Sequence, residues 1–427
     1  MNGREFSKNT FFSYLAKAIP TLIGLLYTLL VANVLDPSEY GLFTYITALF
    51  GGFFLMAFGG LLTDALFVFT ARIKSRSFYH KVLIIQQAIV FIVALPFLFA
   101  SPLISPLLSI QPSSLAIFGV VLLWLTPLNT VWEFLFKGFH RFDSVLESVI
   151  VENLANLVLT AVLVLIWGWG LEGIFIAKFV SVWLGSLVYF LRFKRLNFSS
   201  EKPVLREVWS FLGWNAAGDL FRQGIAQAFT LLAGAFLSPV VLGAYYVAQK
   251  AVNAAVGFPT AAAAEVLLPH VSENTDLKKL STDSSKVIRV SIFVSVSIAV
   301  GVALLVPQTL HFLFPKYEQA ETLVLPFCLL FITNSLTIPA NIFRSQNWMK
   351  PLAAVQFGAL VLSLAAGYIF TVRWGATGLI AAQALVWLCA GLAMMEILRR
   401  KGIKLDLFPR ISDAESLKKI IGSVMKR

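Results

Sequence analysis

The sequence predicts an all-α integral membrane protein in which about twelve transmembrane helices form two six-helix bundles. Three observations predict it: a composition suited only to a membrane chain, a dozen apolar runs of spanning length, and an internal duplication. Of the 427 residues, 58% are hydrophobic and 13% charged, against roughly 45–50% and about 25% in soluble domains. Such a chain is neither an ordinary cytosolic enzyme nor a disordered protein. A net charge of +12 would suggest a nucleic-acid partner on a soluble protein. Here no nucleic acid is expected, because Lys and Arg collect in the cytoplasmic loops of membrane proteins. Cys328 and Cys389 lie far apart in apolar stretches and read as packing residues, so no disulfide framework or metal site is expected.

A membrane-spanning helix needs ~20 mostly apolar residues. Such runs occupy approximately 10–33, 43–69, 82–104, 115–137, 146–168, 172–192, 209–236, 243–268, 288–314, 321–344, 352–372 and 376–398. They are continuous rather than alternating, which excludes barrel strands and leaves helices to satisfy the backbone in lipid. The first run is too long for a cleavable signal, and no small-residue cleavage site follows it.

Loop charge sets the orientation. With the N-terminus inside, the cytoplasmic segments collect Arg72, Lys74, Arg76 and Lys81, then Arg192, Lys194, Arg195, Lys202 and Arg206, and a strongly basic tail. The opposite side holds only Lys316 and Arg373. Both termini are therefore expected in the cytoplasm. The expected division is 1–198 for the first bundle, 199–400 for the second and 401–427 for a cytoplasmic tail. That tail reads either as an amphipathic helix on the membrane surface or as a solvated end. No loop is large enough to form a separate domain, and no GxxxxGK[ST] loop binds nucleotide. Both facts argue against a nucleotide-driven pump and weaken the case for a membrane polymerase or ligase.

The duplication has an offset of 202–207 residues. Leu35-Asp-Pro-Ser-Glu-Tyr-Gly41 matches Leu237-Ser-Pro-Val-Val-Leu-Gly243, Phe136-Lys137 matches Phe343-Arg344, and Gly170-Leu-Glu-Gly173 matches Gly375-Ala-Thr-Gly378. The offset covers six helices, an even number, so both halves take the same orientation. A pseudo-two-fold along the membrane normal would relate them, with a substrate site near the repeat interface.

These motifs, with Phe314-Pro-Lys-Tyr-Glu-Gln-Ala320 and Trp374-Gly-Ala-Thr-Gly-Leu379, resemble polysaccharide-unit flippases over about Asn9 to Arg400. Those are the O-antigen-type, Wzx-like members of the multidrug/oligosaccharidyl-lipid/polysaccharide (MOP) exporter superfamily. The resemblance implies a MATE-like fold in a bacterial inner membrane. It also implies a substrate, undecaprenyl-pyrophosphate-linked sugar units for O-antigen and lipopolysaccharide, carried from the cytoplasmic to the outer leaflet. Membrane lipids, a polysaccharide polymerase and chain-length machinery are the partners it implies. The chain has too few spans for the fourteen-helix lipid II flippases.

Charges inside a span are costly and usually face a cavity or a partner. In the seventh span, Asn215, Asp219, Arg222, Gln223 and Gln227 recur at helical spacing. They read as a cavity wall in which Arg222 holds an anionic head group, or as a self-neutralising Asp219–Arg222 pair with amides beside it. Lys17 occupies the place of Asp219 in the first half, where snorkelling is the competing reading. Lys250 and Asn253 share a face of the eighth span, where Lys250 reads either as a phosphate ligand or as a charge snorkelling to the outer interface, and Asn334 and Asn341 share a face of the tenth. Asp64 and Glu265 end the second and eighth spans, and Glu152 sits in the fifth. With Asp219, these carboxylates are the candidates for gating or for coupling to H⁺ or Na⁺. Lys178 reads as an isolated charge that snorkels. No catalytic set is visible and no cofactor is expected. The expected mechanism is alternating access. A drug or organic-cation antiporter and a non-transporting scaffold are the alternatives.

Overall fold

The computed structural model describes residues 3–49, 75–88, 91, 126–194, 196–198, 205–254, 277–346 and 348–406. Regular structure among them is helical. The chain divides into two compact units, Met1–Thr230 and Leu231–Arg427.

The first unit contains α1 (Gly3–Val34), α2 (Pro37–Leu49), α3 (Thr126–Gly138), α4 (Phe142–Thr160) and α5 (Gly170–Phe193). Helix α6 (Leu205–Phe236) begins in this unit and carries the chain into the second. Helix α4 packs against α1 and α5 and continues as a π-helical turn, Ala161–Ile166. Val151, Leu154 and Val158 recur at helical spacing along α4 and are all exposed. In water such an apolar stripe would turn inward; its outward direction suits a hydrocarbon solvent. Phe142–Ile166 and Gly170–Phe193 are each long and apolar enough to cross a membrane. Side chains of α3, α5 and the stretch 76–88 pack into one largely aromatic cluster. Phe78, Tyr79, Leu135, Phe136 and Tyr189 are buried together. Trp132 meets Phe193 edge-on at 5.2 Å and Tyr79 at 5.5 Å, within the range where aromatic pairs attract.

The second unit contains α7 (Leu277–Leu313), a 3₁₀ turn (Pro315–Tyr317), α8 (Glu318–Ser335), the short α9 (Ala340–Ser345) and α10 (Met349–Arg400). Helix α8 packs against both α7 and α10. The last two expected spans are the two limbs of α10, which meet at Gly375 with φ 60° and ψ −137°. Ile292–Leu313 and Met349–Arg400 also qualify as membrane-crossing helices.

The expected span 321–344 is not one helix. It stops at Ser335, turns over residues 336–339 and resumes as α9. Pro339 explains the break, since proline disfavours helix in the residue before it and donates no hydrogen bond. The far limb of α10 passes this turn so closely that a Cβ on Gly391 would lie 2.7 Å from the Leu336 carbonyl oxygen. The expected spans 43–69, 82–104, 115–137 and 243–268 extend beyond the described residues.

The duplication is visible in the backbone. The Leu35 N–H donates to Val31 O at 3.0 Å and that of Tyr40 to Asp36 O at 2.9 Å. At the matching turn, Leu237 donates to Ala233 O and Leu242 to Ser238 O, both at 2.9 Å. After α3, Arg141 N–H donates to Phe136 O at 2.9 Å, with His140 at φ 57°. After α9, Trp348 donates to Phe343 O at 2.8 Å. A six-to-one bond of this kind satisfies a carbonyl that the helix end leaves unpaired. Gly170 and Gly375 both have positive φ, 52° and 60°, where an L side chain is strained. Sequence similarity between the halves thus marks equivalent turns.

Residues 403–406 fold back onto the start of α7. Ile403 is fully buried, the Asp406 N–H donates to Ser285 Oγ at 3.1 Å, and Arg289 Nη1 meets Asp406 Oδ2 at 3.4 Å. The tail beyond, including its expected amphipathic stretch, lies outside the described residues.

Candidate functional site

In the first unit, α3, α4 and α5 bring together a polar cluster within an apolar bundle. Glu152 Oε1 on α4 pairs with Lys178 Nζ on α5 at 2.7 Å. Its other oxygen accepts from Asn129 Nδ2 on α3 at 2.6 Å. Ser186 lies 3.5 Å from Asn129 Oδ1. Two helices approach closely here because Gly185 has no side chain; a Cβ there would come within 3.1 Å of the Glu152 Cβ. Ser148 fixes the contact by donating to Gly185 O at 2.9 Å. The Glu152 and Lys178 side chains are 15% and 33% exposed. Lys178 is therefore not the isolated, snorkelling charge that its own helix suggests. It is the counter-ion of Glu152. Helical spacing along one span cannot show a partner 26 residues away on the next.

Further along α4, Asn153 donates to its own helix at Val149 O. Asn156 and Thr160 both make side-chain hydrogen-bonding contacts with the Tyr27 hydroxyl of α1. On α6, Arg222 is exposed, Gln223 half-buried and Gln227 buried, and the Gln227 carbonyl oxygen has no partner among the described residues. The expected stripe therefore rolls around α6 from an open arginine to a covered amide, as adjacent positions 100° apart must. A buried, unpaired amide oxygen costs free energy unless something occupies it.

In the second unit, Lys250 is half-buried and Asn253 exposed on the helical stretch 239–254. Gln356 on α10 is buried with an unpaired carbonyl oxygen among the described residues. Sequence reading missed it, because a lone amide in a long apolar run has no helical neighbours to form a stripe with. Lys17 is carried by α1, Asn215 and Asp219 by α6, Asn334 by α8 and Asn341 by α9. Their side chains, and Asp64 and Glu265 altogether, lie outside the described residues. Among the described residues no three His, Cys, Asp or Glu form a group that could hold a metal.

The same architecture occurs in solved transporters. A MATE-family multidrug-resistance transporter of the MOP superfamily, inward-facing, matches with TM-score 0.70 at 16% identity over 90% of this chain and 94% of that one. An outward-facing conformation of such a transporter gives 0.69 at 14% identity over 93% and 95%. A MOP-superfamily transporter from Pyrococcus furiosus, described as having a binding pocket of reverse polarity, gives 0.68 at 15% over 93% and 95%. A search of curated proteins returns no significant match. The fold is that of MOP-superfamily transporters, multi-pass membrane proteins and not enzymes. Residues 6–275 match the family model for polysaccharide biosynthesis proteins, and the chain belongs to that family.

Proposed function

We propose that this transporter is a flippase for polyprenyl-pyrophosphate-linked oligosaccharide units, moving them from the cytoplasmic to the outer leaflet of a bacterial inner membrane by alternating access. Both termini lie in the cytoplasm, as the loop charges require. One observation carries the reading beyond the family match. Helix α6 presents an arginine, Arg222, beside amides that turn inward, with the Gln227 oxygen buried and unpaired among the described residues. A sugar pyrophosphate asks for that pairing: cationic charge for the phosphates, and amides for hydroxyls. Arg222, Lys17 and Lys250 supply the charge; Asn215, Gln223, Gln227, Asn253, Asn334 and Asn341 supply the hydrogen bonds. Inside a low-dielectric chamber, two or three cations select an anionic head group strongly. The pocket of reverse polarity reported for the Pyrococcus furiosus relative supports the view that this fold changes cargo by changing the polarity of its pocket. Asp64, Asp219, Glu265 and Glu152 are the candidates for H⁺ or Na⁺ coupling. A polymerase and chain-length machinery would receive the exported unit.

The test is glycan export in a complementation assay or in inverted vesicles. Arg222→Ala is expected to lower export by about tenfold or more, the scale of one lost charge-assisted contact, while Arg222→Lys retains part of it. Undiminished export by Arg222→Ala would remove Arg222 from the site. Export of organic cations by the parent, with no glycan export, would favour the antiporter reading.

A further inference from the structure

Helices α7, α8 and α10 enclose a cavity of about 600 Å³ in the second unit, within the ~300–1,000 Å³ typical of small-molecule sites. Its wall is almost wholly hydrocarbon: Val300, Ala303, Leu325, Leu329, Ile332 and Trp374 contribute to it. Thr377 also lines it, but its hydroxyl donates to Trp374 O at 2.8 Å and so makes no polar demand on an occupant. Val300, Leu325 and Leu329 are 55%, 69% and 54% exposed, so the cavity opens sideways through an apolar face. Its depth follows from the helix rise. Leu325 lies seven residues into α8, about 10 Å from its start, and Ala303 ten residues before the end of α7, about 15 Å. Both depths fall within hydrocarbon for a spanning helix.

The mouth has a different chemistry. At the end of the first limb of α10, the Arg373 guanidinium lies 5.7 Å from the centre of the Trp374 ring, whose side chain also lines the cavity. Arg373 is exposed and has no ion-pair partner among the described residues. Tryptophan and a cation together mark the level of lipid head groups, and a guanidinium pairs with phosphate through a fork of donors. Cationic charge at head-group level above a hydrocarbon slot is complementary to one kind of molecule.

We infer that this cavity is a phospholipid site: one acyl chain fills the slot between α7, α8 and α10, and Arg373 binds the phosphate. The inference does not depend on the cargo of the transporter. The protein, purified from membranes in mild detergent, is examined by native mass spectrometry, and stripped protein is titrated with phosphatidylglycerol or with diacylglycerol of the same chains. The parent is expected to retain one phospholipid and to prefer phosphatidylglycerol over diacylglycerol by about tenfold. Ala303→Trp, which fills the slot, abolishes retention. Arg373→Gln keeps the slot but loses the preference. Lys316→Gln, which removes a cation from the same end of the bundle outside the slot, changes neither. Equal affinity of the parent for both lipids overturns the assignment, as does equal loss in Arg373→Gln and Lys316→Gln. Retention of a polyprenyl lipid in place of the phospholipid also overturns it. Arg373 is exposed, so its variant decides the matter even where Ala303→Trp does not accumulate.

Discussion

Gly378→Ala is expected to abolish accumulation of folded protein. A Cβ at this position would overlap the backbone carbonyl oxygen of Phe370 and sit 2.9 Å from the Trp374 Cβ. The obstacle is backbone, so no side chain can rotate away. The two limbs of α10 would have to part at the Gly375 turn, whose own backbone already tolerates no L side chain without strain. The cost is about 3 kcal/mol or more, at the upper end of overpacking effects. The repeat partner provides the control. A Cβ on Gly173 meets the Leu163 and Trp169 Cβ atoms at 3.1 Å, and the backbone comes no nearer than the Leu163 carbonyl carbon at 3.4 Å. Gly173→Ala should therefore cost nearer 1 kcal/mol. Fluorescence-detected gel filtration and thermal unfolding in detergent separate the two. A Gly378→Ala protein that melts with the parent would refute the close approach of the limbs.

The second large effect concerns the Glu152–Lys178 pair. Lys178→Met leaves a carboxylate in the bundle with only the Asn129 amide beside it, and Glu152→Gln leaves an unmatched ammonium. Removing one member of a fully buried pair costs about 3–5 kcal/mol; the residual exposure of this pair lowers the expectation to roughly 2 kcal/mol. The double variant Glu152→Gln/Lys178→Met should recover most of that loss, since it removes both charges and keeps the Asn129 contact. Thermal unfolding of the three variants measures the coupling. Additive losses would show that the two charges act independently. The double variant has a further use. Should Glu152 carry a coupling ion, this protein would regain stability without regaining ion-dependent transport.

The spans that fall on described residues and the duplicated turns were legible in the sequence because each depends on local chemistry. Long apolar runs need lipid, and Pro37 and Pro239, or Gly170 and Gly375, impose the same turn wherever they occur. The break in 321–344 was legible in principle from Pro339, but the hydrophobic run around it hid the signal. The candidate site was legible only as patterns along single helices. Gln223 and Gln227 stand out by their spacing of four, and the structure leaves Gln223 half-buried and Gln227 buried. The Lys178–Glu152 pair, the Asn129 bridge and the Gly185 contact depend on how α3, α4 and α5 pack, which no one-helix pattern encodes. Gln356 was missed for the same reason. The apolar slot beside Trp374 is a shape rather than a pattern, and residues such as Ala303 and Leu329 look like any others in a spanning run.

The strap at 403–406 has a consequence for biogenesis. Asp406 meets Ser285 across a sequence separation of 121, so α7 gains this contact only once the rest of the second unit has been synthesised. Until then, Ser281 and Ser285 lack the backbone partners that Lys404 and Asp406 bring. Removal of residues 403–406 would leave every hydrophobic run intact and still expose an unlatched end to quality-control proteases.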